Sequence, residues 1–61
     1  MTWYEELKYM RESLNITLEE AARNLMCSVD ALKAYESGER VPRDEMVGRI
    51  WKYYNAPEIF S

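Results

Sequence analysis

The sequence predicts an all-α fold, and three observations carry that expectation. Apolar residues recur at helical spacing along the chain, and Thr2, Thr17 and Ser28 stand where a hydroxyl can cap a helix. Gly and Pro, which punctuate helices, number only two each. The chain has 61 residues, of which 48% are apolar and 31% charged, a balance that suits a folded protein rather than a disordered one. A chain of this length buries roughly 60% of its unfolded surface, enough for a single domain, 1–61, with a thin margin of stability.

Thr2 and Glu5 stand three residues apart, as in a capping box, and Trp3, Leu7, Met10 and Leu14 follow at spacings of four, three and four. The first helix is therefore expected from about Trp3 to Ser13. Its other faces carry Glu5, Glu6, Lys8, Arg11 and Glu12, a pattern that reads as solvated surface.

Thr17 and Glu20 form a second capping box, and Ile16 and Ala21 are spaced to touch as a hydrophobic staple. Ala21, Ala22, Leu25 and Met26 mark the apolar face of this second helix. Only Cys27 separates Met26 from Ser28, which can cap a third helix with Ala31, Leu32 and Tyr35 as its buried stripe and Gly38 as its left-handed end. Two helices joined by so short a turn cross steeply, which leaves Val29, Asp30, Lys33, Ala34 and Ser37 on the outer face of the second of the pair.

Glu39 to Arg43 reads as a loop that Pro42 closes, and a fourth helix is expected from Arg43 or Asp44. Met46, Val47, Ile50 and Tyr54 give it a core face. Gly48 in its interior costs about 1 kcal/mol relative to Ala, and a close helix contact would explain its presence. Asn55 can close this helix, and Ala56 to Phe60 resemble the opening of one more turn, with Pro57 at a permitted first position.

No constellation for catalysis is present: there is no His, the single Cys has no base or second ligand beside it, and no Gly-rich phosphate loop or metal-ligand spacing occurs. No enzyme activity, cofactor or metal is expected. Cys27 reads as a small buried apolar residue, since no cation flanks it in sequence to stabilise a thiolate. No apolar run approaches the roughly 18 residues of a membrane span, and the first residues are acidic and amphipathic where a signal peptide is basic and then apolar. A cytoplasmic protein with no membrane partner is expected.

Eight residues carry a resemblance to a known family. Arg11, Thr17, Ala22, Leu25, Ser28, Glu36, Gly38 and Pro42 follow one another in the order and spacing of the helix-turn-helix domain of the Cro and lambda-repressor type, the XRE family. The resemblance runs from Leu7 to Phe60. It implies a compact five-helix bundle, lambda-repressor-like, with the helix-turn-helix made by helices 2 and 3. It also implies a structural salt bridge between Arg11 and Glu36 across helices 1 and 3.

For DNA, the resemblance implies that the helix starts at Thr17 and Ser28 aim backbone N–H groups at phosphates and that Arg40 and Arg43 grip the flanking backbone. Base edges are then read by Val29, Asp30, Lys33, Ala34 and Ser37. Leu18 stands where many members carry a DNA-contacting Gln, and Val29 and Asp30 where Arg, Gln, Asn or Ser are usual. Val29 can touch a thymine methyl and Asp30 can accept from a cytosine amino group, so the readout expected is sparse.

The charge is unusual for a DNA binder. Between Thr17 and Arg43 the residues Arg23, Lys33, Arg40 and Arg43 face Glu19, Glu20, Asp30, Glu36 and Glu39, a local balance of minus one, and the whole chain is at minus three. Phosphate neutralisation supplies much of the affinity of such proteins, so one copy should bind weakly and a homodimer is expected. Trp51, Tyr53, Tyr54, Ile59 and Phe60 offer an aromatic surface for the pairing. Two functions fit these features. One is a sequence-specific transcriptional regulator of bacterial or phage type that occupies an operator on double-stranded DNA as a dimer. The other is an acidic module of the same fold that binds a protein partner, as an antirepressor, antitoxin-like protein or phage inhibitor, and not DNA.

Overall fold

The computed structural model describes residues 1–55, and among them the chain forms α1 (Trp3–Ser13), α2 (Leu18–Leu25), α3 (Val29–Ser37) and α4 (Asp44–Tyr54), with no strand. Four helices thus stand in the described residues where five were expected; the further turn at Ala56 to Phe60 lies outside them.

Three of the four helices start on a hydroxyl. At Thr2 the capping box is complete: its side chain accepts from the Glu5 N–H at 3.2 Å, and the Glu5 carboxylate accepts from the Thr2 N–H at 2.9 Å. Donation from that N–H, and then from the Thr2 hydroxyl, holds the Glu5 carboxyl below its ordinary range. At Thr17 only half of the expected box forms, with the hydroxyl accepting from the Glu20 N–H at 3.1 Å while the Glu20 side chain stays in solvent. Ser28 caps α3 by accepting from the Ala31 N–H at 3.0 Å. Arg43 opens α4 without a side-chain cap.

The helix ends hold most of the departures from expectation. Helix α2 stops at Leu25, and Met26 takes a left-handed conformation, φ 61°, which swings its side chain off the apolar face and leaves it 75% exposed. Leu14 likewise falls one residue past α1 and is exposed rather than buried. Helix α3 ends on Gly38 at φ 83°, and a Cβ there would stand 2.8 Å from the Tyr4 ring. Gly48 in α4 has nothing among the described residues within 4 Å of where its Cβ would be, so none of α1, α2 and α3 makes the close helix contact expected to explain it.

The core takes one fully buried aliphatic side chain from each helix: Leu7, Leu25, Leu32 and Ile50. At about 1.5–3 kcal/mol for each side chain removed from water, these four are the main stabilising contacts. Ala21 and Ala22, both buried, are small enough to let neighbouring helices approach, and Tyr35, Met46 and Tyr54 close the cluster. Val47, expected beside them, is only half-buried and outside the cluster, and Ala31 is half-buried against it. Helix α3 packs on α1 and α2, and α2 also packs on α4. None of these helices is long and apolar enough to cross a membrane.

Candidate nucleic-acid interface

The orientation of α3 is fixed by one buried ion pair. Arg11 on α1 donates from Nε to one Glu36 carboxylate oxygen at 2.8 Å and from Nη2 to the other at 3.1 Å, and its Nη1 donates to the Ile16 carbonyl at 2.8 Å. Both residues are buried, at 8% and 7% exposure. The planar fork suits a carboxylate held in one orientation, so the pair sets the angle of α3 against α1 and clips the loop that leads into α2. The bond to Glu36 pushes the Arg11 guanidinium further up from its already high range. Beside the pair lies the Tyr54 phenol, buried and without a hydrogen-bond partner among the described residues, its ionisation pushed up first by burial and then by the Glu36 charge.

With α3 held this way, Asp30, Lys33 and Ser37 are exposed along one face, and Ala34 between them is half-buried. Val29, expected on that face, is half-buried and packs against the core, which limits what its methyls can reach outside. The Ser37 hydroxyl donates to the Ala34 carbonyl at 3.1 Å and accepts from the Glu39 N–H at 3.5 Å, so it is partly committed to the helix end. Lys33 is the one long cationic donor on this face.

Cations flank α3 on both sides. On one side a groove of about 170 Å³ is lined by Lys8, Arg11, Leu18, Lys33, Glu36 and Ser37. On the other a cleft of about 400 Å³ is lined by Tyr35, Val41, Met46 and Glu45 together with Arg40, Arg43 and Arg49. The Arg40 guanidinium lies 5.8 Å from the centre of the Tyr35 ring, a cation–π distance. Arg43 is exposed, and Arg49 donates to the Leu25 carbonyl at 3.3 Å and pairs with Glu45, tying α4 to the C-terminal end of α2. Thr17 and Ser28 spend their hydroxyls on caps, while the first N–H groups of α2 and α3, from Leu18 and Val29 on, lie at helix starts where no carbonyl of the same helix can reach them.

Lys8 and Arg49 are the cationic lining residues that the linear sequence did not single out. Lys8 lies three residues before Arg11 and hence on a neighbouring position of the same helix face, which is the signal that would have placed it beside helix 3. Arg49 carries no such local mark.

Among the described residues the expected aromatic surface loses Tyr54. Tyr54 belongs to the core and is unavailable to a partner; Tyr53 is half-buried, its hydroxyl accepting from the Asn24 side-chain amide at 3.4 Å; Ile59 and Phe60 lie outside the described residues. Trp51 is 41% exposed. Cys27 is half-buried against the core rather than fully buried, and burial raises its thiol while the Arg49 charge partly offsets the effect. Among the described residues no group of His, Cys, Asp and Glu is placed to hold a metal ion.

Comparison with known families matches residues 5–59 to one described as a helix-turn-helix domain. No curated protein and no solved structure matches the chain.

Proposed function

Because this chain belongs to the helix-turn-helix domain family, we propose that it binds double-stranded DNA and acts as a sequence-specific transcriptional regulator of the Cro and lambda-repressor type. One observation carries this reading: the outward face of α3 presents Asp30, Lys33, Ala34 and Ser37 between two flanks that bear cations. Lys33 reads a base edge, and Ala34 lies against a thymine methyl when one is present. Asp30 accepts from a cytosine amino group and disfavours a base that offers only acceptors. Arg40 and Arg43 hold the phosphate backbone beyond the end of α3, and the N–H groups at the starts of α2 and α3 hold it nearer the turn.

The acidic balance makes one copy a weak binder, so the regulator works as a homodimer, with Trp51 at the centre of the contact and Tyr53 at its edge. Its two α3 helices then enter successive major grooves about 34 Å apart on a near-palindromic operator. Capture of fragmented host genomic DNA by the purified protein, at about 50 mM and then about 200 mM salt, with sequencing of the retained fragments, tests the proposal. Recovery of a few fragments that share a near-palindrome and are lost as salt rises supports it. Recovery at background level at both salts overturns it and favours the protein-binding reading, in which the acidic surface around α3 meets a basic partner.

A further inference from the structure

The cations that flank α3 are not equally committed. Arg11 is spent on Glu36, and Arg49 on Glu45 and the Leu25 carbonyl. Lys8 and Lys33 are exposed, come from different helices, and make no ion pair or hydrogen bond among the described residues. Both line the groove between α1 and α3. Glu36 is the only carboxylate in that lining, and both of its oxygens already accept from Arg11. Among the described residues the groove is therefore lined by two ammonium groups with no carboxylate at ion-pairing distance, on a chain whose net charge is minus three. Like charges brought together without a counter-charge raise the free energy of the unbound state, and an anion between them lowers it.

We infer that Lys8 is a DNA-backbone contact, and that with Lys33 it holds one phosphate group in the groove between α1 and α3. The inference rests on the DNA-binding reading given above. The groove, about 170 Å³, has room for a phosphate, and it opens beside Lys33 and Ser37, the same residues that face outward on α3. A phosphate seated there lies next to the strand whose bases α3 faces, so Lys8 fixes how deep the helix sits without reading sequence itself. Lysine suits this task, since its ammonium acts as a point charge that needs no bidentate geometry.

The test is fluorescence anisotropy with a labelled duplex of about 20 base pairs, titrated at several potassium chloride concentrations between about 50 and 200 mM. The proteins compared are the unmodified chain, Lys8→Ala, Lys8→Arg and, as a control on the exposed end of α4, Lys52→Ala. Loss of one phosphate contact should reduce the slope of log affinity against log salt by about 0.9 and weaken binding roughly five- to tenfold near 0.1 M. Lys8→Arg and Lys52→Ala should stay within about twofold of the unmodified chain. If the unmodified chain binds and Lys8→Ala matches Lys52→Ala in affinity and slope, the inference is wrong while the DNA reading stands. If the unmodified chain binds no duplex at any salt, the DNA reading fails and the inference with it. Lys8 lies outside the core, and circular dichroism of Lys8→Ala should match that of the unmodified chain.

Discussion

The ring of Tyr4, in the first turn of α1, occupies the space that a side chain at Gly38 would need, with Cδ1 and Cε1 both 2.8 Å from the position of a Cβ there. Residue 38 is also at φ 83°, where any residue but Gly is strained. Gly38→Ala is therefore expected to destabilise the protein by about 2 kcal/mol or more, from strain and clash together. Tyr4→Leu in the same background should recover the clash but not the strain. A urea melt of the two single variants and the double variant separates the parts, and strict additivity would show that the ring yields freely.

Gly48 is the opposite case. It sits inside α4 with open space where a Cβ would go, so Gly48→Ala should stabilise the protein by about 0.5–1 kcal/mol through helix propensity alone. Thermal unfolding reads this directly, and a lower midpoint would mean that something packs on that face.

Removing Glu36 leaves the Arg11 guanidinium buried without its counter-charge. Glu36→Ala should cost about 3–5 kcal/mol, a large share of what a domain of this size has, while replacing both residues by apolar ones of similar volume should recover most of that loss. Denaturant melts of the single and double variants give the coupling, and equal stability of Glu36→Ala and the unmodified chain would show the pair to be idle.

The Tyr54 hydroxyl is buried and has no partner among the described residues, so Tyr54→Phe should raise stability by about 1 kcal/mol near neutral pH. The pH dependence has a definite sign. Burial raises the phenol above its ordinary value of 10.0, which makes the folded state prefer the neutral form. Its contribution is fully present below that value and is lost as pH rises above it, because the unfolded chain then ionises and the folded one resists. The unmodified protein should therefore lose stability above about pH 10 more steeply than Tyr54→Phe, and parallel melting curves for the two would contradict this.

The helix starts were legible in the sequence because a cap is a local device: Thr2, Thr17 and Ser28 each bond an N–H three residues away. The turn that sets α3 on α2 followed from the single residue, Cys27, between Met26 and Ser28. Helix ends were harder, since periodicity continues past the point where the backbone leaves the helix; Met26 keeps the right spacing for the apolar face but not the right φ. Residues whose role depends on a distant partner could not be read locally. Gly48 looked like a packing position and has no neighbour there among the described residues, whereas nothing in the sequence marked Tyr4, whose ring covers Gly38. The site divides in the same way. Lys33 follows from its place on the outer face of α3 and Arg43 came only with the family resemblance, while Lys8 needed α1 to be laid against α3 before its neighbours were known.

The placement of charge around α3 bears on how such a molecule would approach a polyanion. At 0.1 M salt the screening length is about 10 Å, less than half of the 26 Å longest dimension of the protein, so a duplex would respond to the near face and hardly to acidic groups on the far one. At 0.01 M that length grows to about 30 Å, and the full net charge of minus three comes into range as repulsion. Adding salt to a very dilute buffer should thus first speed the encounter and only later weaken the complex, a non-monotonic profile that a uniformly basic protein does not show.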